Sequence, residues 1–357
     1  TLTGVGAEKA ANKDGTIPAY SGGLTAAPAG YKAGDGIRPN PYASEKPRLT
    51  IDAKNMAQHA DKLTEGTKAL LTQYPKDGYE AMWNHLVRFN GQAYESKYRN
   101  LTVDANGRAT LATEGNSVQE YPYWDPSKTS AETYWRIKLT YTAPARRAGE
   151  ALLIVDPIDV GAKERRAWSY LPGQRRVKVA PDFSFDTPNP GTAGGNTFDD
   201  IFIFNGSMDR YDFKLVGKKE IYVPYNAYAA VYGAKQDELL KANHLNPDLV
   251  RWEQHRVWVV EATLRDGKRH VYSKRTFYLD EDSWAAVASD QYDARGQMYR
   301  AGFAYMAPSY DLPAPYTDMF STYDLIGRTY SLTGFIAETG GLKHVKAMPD
   351  REWTADA

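Results

Sequence analysis

Residues Trp168–Tyr225 read WSYLPGQRRVKVAPDFSFDTPNPGTAGGNTFDDIFIFNGSMDRYDFKLVGKKEIYVPY. Two alternating patterns flank a long break. Before it, Trp168 and Tyr170 alternate with Ala167 and Ser169, Leu171-Pro172-Gly173-Gln174 reads as a turn, and Val177 and Val179 alternate with Arg176 and Lys178. After it, Tyr211, Phe213, Leu215, Ile221 and Val223 share one parity; Asp212, Lys214, Lys218 and Glu220 take the other. A period of two over this length means strands with one buried and one wet face. Between them, Pro181, Pro188, Pro190, Gly191, Gly194 and Gly195 cannot carry a ladder. So long a loop in a compact domain is expected to be functional or mobile.

The same alternation continues outward. Thr133–Thr142 places Trp135, Ile137, Leu139 and Tyr141 on one side and Tyr134, Arg136 and Lys138 on the other. Further strands are expected at 83–89, 93–103, 108–113, 151–155, 257–264, 270–279, 284–292, 297–305 and between 319 and 336, mostly joined as hairpins. Asn90-Gly91, Asn106-Gly107 and Asp266-Gly267 are turn signals. One long amphipathic helix precedes them. Asp52 caps it, Met56, Ala60, Leu63, Thr67, Leu70 and Leu71 form its apolar stripe, and Pro75 and Gly78 stop it. A short helix is expected near 235–243. The fold class is therefore α+β: a large curved antiparallel sheet forming an incomplete barrel around at least one long helix, because neither stripe nor sheet can bury its apolar face alone. Residues 1–48 read as an extended arm, 49–338 as one domain and 339–357 as an irregular tail.

Composition excludes several classes. Acids and bases balance at 44 each in 357 residues, so no global field points to nucleic acid or an anionic membrane. There is no Cys, hence no disulfide framework or thiolate chemistry. No run approaches the roughly 18–20 apolar residues of a membrane-spanning helix. The six His include no i, i+4 helical pair and no His-x-His pair, so no metal site and no cofactor is expected. Asp199-Asp200 and Asp280-Glu281-Asp282 lack the alternating pattern of a calcium loop and read as solvated turns. No Gly-x-Ser-x-Gly elbow or phosphate loop is present.

Several stretches resemble a known family: YLPGQRRVKVAP from Tyr170, DTPNP from Asp186, DRYDFKLVGKKEIYVPYN from Asp209, VGAEKAANKDGTIPAYSGGL from Val5 and MWNHLVRFNG from Met82. They are similar to bacterial envelope proteins labelled "outer membrane lipoprotein-sorting protein", grouped with the LolA/LolB-like fold. The resemblance implies a periplasmic protein, secreted by a signal peptide that is removed, whose half-open barrel holds something apolar. It implies no reaction. It also makes an inner- or outer-membrane transporter an expected partner.

Two surfaces follow. Trp83, Trp135, Trp168, Tyr170, Tyr211, Trp258, Tyr299 and Phe303 fall on apolar parities. They either fill a core or line a groove for a lipid or other hydrophobic small molecule, bound without catalysis beneath a lid made by the 181–200 loop or the N-terminal arm. Arg165, Arg166, Arg175, Arg176 and Lys178 form a basic strip, either a solvated face or a site for an acidic partner or lipid phosphates. The alternatives are a scaffold with a filled core and a hydrolase whose triad is dispersed around His85, His255 or His270.

Overall fold

A computed structural model describes residues 2–34, 36–49, 51, 56–64, 78–128, 131–159, 163, 165–180 and 185–355. Among these residues fourteen strands form one antiparallel sheet: β1 (Ala93–Val103), β2 (Ala109–Glu120), β3 (Thr133–Ala143), β4 (Ala151–Pro157), β5 (Arg166–Leu171), β6 (Arg176–Val179), β7 (Tyr211–Pro224), β8 (Trp252–Leu264), β9 (Lys274–Asp280), β10 (Ala286–Tyr292), β11 (Met298–Ala304), β12 (Phe320–Asp324), β13 (Thr329–Phe335) and β14 (Leu342–His344). The spatial order is β6-β5-β4-β3-β2-β1-β13-β12-β11-β10-β9-β8-β7, with β14 paired to β1. Local hairpins thus build two half-sheets, and β1 and β13 join them. The sheet does not close, and its two edges are β6 and β7, which are neighbours in sequence. The chain between them must cross from one edge to the other.

That crossing is residues 185–210. It runs through the concave face, where Phe198, Phe202, Ile203 and Phe204 enter the main core. Beside it lies α1 (Gly78–Leu86), with Ala81, Met82 and Leu86 in the same core. This corrects the strand expected at 83–89: three apolar residues at helical spacing face inward there. Gly78 packs onto β7, where a Cβ would stand 2.5 Å from the Phe213 carbonyl carbon. Gly78→Ala is expected to cost about 1–3 kcal/mol through forced displacement, read as a lower urea midpoint with an unchanged slope; an unchanged midpoint would mean that α1 shifts freely.

Of the long helix expected from Asp52, Met56–Lys62 is a 3-10 helix, and residues 52–55 and 65–77 lie outside the described residues. The short helix near 235 is α2 (Gln236–Leu239). The tail is less irregular than expected: it adds β14 and a 3-10 helix at Asp350–Trp353, whose Trp353 covers Leu153 and Val155 on the convex face. The arm carries no strand or helix among its described residues but docks firmly. Arg38 is fully buried, donating to Asp311 Oδ1 and Oδ2 at 2.6 and 2.8 Å.

Candidate functional site

The concave face holds a partly open cavity of about 90 Å³. Strand β3 supplies its wall through Trp135, Ile137, Leu139 and Tyr141, the four residues whose alternation is cleanest in the sequence. The crossing segment supplies its roof through Phe198, Ile201 and Phe202. A dry apolar cavity of roughly 150 Å³ admits a benzene-sized molecule, and ligand pockets run to roughly 300–1,000 Å³. At this size the cavity is too small for an acyl chain unless the roof moves.

One wall is polar. Trp135 Nε1 donates to Gln119 Oε1 at 2.9 Å, Gln119 Nε2 donates to Asp318 Oδ2 at 2.9 Å, and Tyr94 OH donates to the same oxygen at 2.6 Å. Burial pushes the Asp318 carboxyl up to about 6, against the pull of these donors and Arg88. A raised carboxyl stabilises the fold fully below pH about 4, its unfolded value, and that contribution is lost as pH rises through 6. The two-unit shift corresponds to on the order of 3 kcal/mol. Asp318→Asn is therefore expected to gain stability relative to the parent between pH 4.5 and 7.5 in urea titrations; parallel pH profiles would place the Asp318 proton elsewhere.

The crossing segment is a plug rather than an outer lid. Its own Asp199 and Asp200 are buried, not solvated in a turn. Arg275 Nη1 donates to Asp199 Oδ2 at 2.7 Å and Nη2 to Asp200 Oδ1 at 2.8 Å and Ile203 O at 3.0 Å. His270 Nε2 lies 3.0 Å from Asp199 Oδ2. Tyr272 OH and Gln291 Nε2 donate to Asp200 at 2.8 and 3.1 Å. Burial raises the Asp199 carboxyl, but Arg275 and His270 overcome that and hold it well below the usual range. At the far end, Ala286 N donates to His85 Nδ1 at 3.0 Å, so Nε2 carries the proton and donates to Phe204 O at 2.9 Å. Burial, aided by Arg88, lowers His85 to about 3, so it stays neutral.

Of the eight aromatic residues expected to line a groove, Trp135 alone lines this cavity. Trp83 lies on α1 and packs on the core rim. Tyr211 is fully buried and donates to Tyr272 O at 3.1 Å. Phe303 packs edge-on to Trp252, Trp258 stacks on Trp284 at 6.1 Å, and Tyr299 lies beside Tyr272. Trp168 and Tyr170 face the convex side, because Trp168 pairs with Leu153 and packs in the small cluster with Trp353. Parity alone cannot say which face of a strand is concave.

The basic strip divides likewise. Arg165 is buried in a bidentate pair with Asp156, both contacts 2.7 Å, and leaves the strip. Arg166, Arg175, Arg176 and Lys178 are exposed on the β5–β6 hairpin. No ion pair to these four occurs among the described residues. Val179, 69% exposed, lies opposite Trp168, and Val177 lies opposite Tyr170. Lys178 and Arg176 lie opposite Ser169 and Leu171, on the other face. The hairpin is amphipathic and projects from the body.

A dispersed triad finds no support in the three histidines first to be checked. Among the described residues, His85 bonds to backbone groups, His255 meets Glu253 and Asp280, and His270 meets Asp199; no serine hydroxyl bonds to any of them.

Similarity to known proteins agrees with this architecture. The DUF1329 family model, a protein family of unknown function, matches residues 50–77 and 74–357. An uncharacterized protein of Pseudomonas aeruginosa is 37% identical, over 94% of this chain and 85% of its own length. An outer membrane lipoprotein-sorting protein domain from Vibrio parahaemolyticus superposes with a TM-score of 0.53 at 12% identity, covering 78% of this chain and 96% of that one. A DUF1329 protein from Desulfovibrio piger superposes with a TM-score of 0.52 at 14% identity, covering 78% and 95%. These two likenesses concern the fold. Together with the near-complete family match and the Pseudomonas relative, they lead to one assignment: the chain belongs to the DUF1329 family.

Proposed function

We propose that the protein binds and shuttles a lipid-like or other hydrophobic molecule in the periplasm, without catalysis, by swinging the 185–210 plug out of the concave face. The observation that carries this reading is the plug itself. It roofs an apolar cavity and is held by the buried Arg275 cluster together with the core side chains of Phe198, Phe202, Ile203 and Phe204, with no strand paired to the sheet. Its backbone is also strained where it meets the cavity: Phe202 and Ile203 have φ of 54° and 71°, the left-handed region. For bulky residues this costs of order 1–3 kcal/mol each and clusters at sites that work by switching. Displacement would expose the wall from Trp135 to Tyr141 to an apolar ligand, worth roughly 0.8 kcal/mol for each methylene buried. No helix among the described residues is long and apolar enough to cross a membrane. The sorting label of the Vibrio domain is compatible with an acylated cargo.

The test is native mass spectrometry of protein taken from its own envelope, with solvent extraction and a panel of fluorescent fatty acids and sterols. A stoichiometric apolar adduct is expected. Empty protein that ignores the panel would favour the second reading, a scaffold whose concavity is permanently filled, for which the 90 Å³ cavity is the specific observation.

The projecting hairpin serves delivery in this reading. Its cations would meet lipid phosphates or acidic groups on a transporter, each worth about 1 kcal/mol at an anionic surface. Replacing Arg175, Arg176 and Lys178 with Glu is expected to abolish sedimentation with phosphatidylglycerol-containing vesicles at low salt. Unfolding should move by less than about 0.5 kcal/mol per site. Retained vesicle binding would remove the hairpin from the mechanism.

A further inference from the structure

A second cluster lies toward the opposite edge of the sheet from the hairpin, where β8 meets the β9–β10 turn. Val257 on β8 lies opposite Asp280, the last residue of β9. His255 is two residues along β8 and therefore on the same face as Val257 and Asp280. Asp282 comes from the turn. One ligating atom from each of His255, Asp280 and Asp282 lies within 4.8 Å of the others.

Three acidic or basic groups in proximity are not yet a site. The second observation is Asp280 Oδ1. The residue is fully buried, and this oxygen has no hydrogen-bond partner. Its twin, Oδ2, is satisfied three times, by Ser283 N at 2.9 Å, Ser283 Oγ at 2.5 Å and Tyr225 OH at 3.3 Å. A buried orphan acceptor is costly and calls for an unseen partner. Oδ1 points at His255 Nδ1 across 3.9 Å, too far for a hydrogen bond. That spacing suits two atoms sharing one ion, since ligands at about 2.1 Å from a metal stand roughly 3–4 Å apart.

The histidine is held for this task. Its Nε2 lies 3.2 Å from Glu253 Oε2. Glu253 is itself fixed by Arg251 Nε at 2.6 Å and Asn226 Nδ2 at 2.9 Å. A proton on Nε2 leaves the Nδ1 lone pair facing Asp280. The Tyr225 ring stacks on the imidazole at 3.6 Å and fixes its plane. A carboxylate behind a histidine is how metal-binding imidazoles are oriented. Nearby cations are engaged elsewhere: Lys218 with Glu281, and Arg256 with Glu8 and Glu220. Among the described residues no lysine or arginine forms an ion pair with Asp280 or Asp282. Burial also pushes Asp280 up to about 6, as fits a carboxyl without a compensating cation.

We propose that His255 Nδ1, Asp280 Oδ1 and Asp282 bind one divalent first-row metal ion of the zinc type. The mixed nitrogen and oxygen set suits such an ion, whereas Ca²⁺ takes oxygen ligands alone. The exposed Asp282 gives the ion its path from solvent. The bound ion would clamp β8 to the turn on which the N-terminal arm rests, through Glu8 N to Glu281 Oε1 at 3.2 Å. None of this depends on the cargo reading above. In the sequence the site is hidden, because its histidine lies on β8 and its acids on the end of β9 and the turn that follows.

The test uses the full, untagged chain stripped with EDTA, then equilibrium dialysis against Zn²⁺ alone and against Ca²⁺ alone. One Zn²⁺ per chain and a raised melting temperature are expected, with Ca²⁺ binding at least 100-fold weaker. Asp280→Asn and His255→Gln should each weaken Zn²⁺ at least 100-fold, and Glu253→Gln by 10–100-fold through loss of orientation. Asp282→Asn, at an exposed position that cannot unfold the chain, should weaken it about tenfold. No stoichiometric Zn²⁺, or Zn²⁺ bound by Asp280→Asn and Asp282→Asn as tightly as by the parent, would overturn the site.

Discussion

Arg275→Met is expected to lower the unfolding free energy by about 3–5 kcal/mol at pH 7, since it strands two buried carboxylates without their cation. Arg275 also lies against three aromatic faces, Phe204, Tyr272 and Phe277, at 4.9–5.4 Å, so its removal loosens the plug from both sides. The pH dependence distinguishes this cause from simple loss of packing. In the parent, Asp199 is held low, so its contribution is present above pH about 4 and is lost as pH falls further. In the variant the Asp199 carboxyl, no longer held down by Arg275, rises and neutralises, so the deficit should shrink between pH 7 and 4.5. Adding Asp199→Asn and Asp200→Asn should recover much of the loss, because an apolar or neutral replacement of a whole buried ion cluster is often tolerated. Urea titrations at the two pH values, with a fluorescent apolar dye to report plug release, measure all of this. A deficit independent of pH would mean that the cluster is not what holds the plug.

Phe198→Ala is the second large effect. Phe198 is buried and forms part of the cavity roof. Its truncation should cost about 3–5 kcal/mol and carry the cavity past the size at which a ring-sized ligand enters. The two functional readings then part. A carrier already binds long-chain probes by moving the plug, so the variant should bind them several-fold tighter as less plug contact is lost. A scaffold binds no long chain in either form, and the variant gains only small aromatic guests. Fluorescent fatty-acid titration of parent and variant, beside benzene uptake, distinguishes them. Ile137→Trp, which fills the cavity from the opposite wall, should abolish uptake in either case.

The parts of this architecture that could be read from the chain are those governed by local period. The bounds of β1 matched the alternation at 93–103, and the turns at Asn106-Gly107 and Asp266-Gly267 fell where expected. The wall from Trp135 to Tyr141 was visible for the same reason. What could not be read depends on meetings in space. Alternation says that Trp168 and Val177 share faces with their neighbours, but only the sheet's curvature decides that Trp168 is convex and Trp135 concave. Asp199-Asp200 looks like a wet turn until Arg275, from β9, is placed against it. Asp318 carries no local signal, since its partners Tyr94 and Gln119 belong to strands far back in the sequence. At 83–89, the helical spacing of Ala81, Met82 and Leu86 outweighs the strand preference of Trp83 and Val87.

The order of strands also bears on how the molecule is assembled. All pairings within each half-sheet are between sequence neighbours, while the β1–β13 seam brings Arg99 opposite Phe335, from the far end of the chain. Hairpins form in roughly microseconds, but a junction that closes so long a loop carries a large entropic cost and comes late. Two preformed half-sheets would therefore meet with their apolar faces still open, and the segment linking their outer edges would be captured between them as the seam forms. The plug is in this sense the last piece enclosed, and the seam, rather than any hairpin, sets the pace at which the protein becomes native.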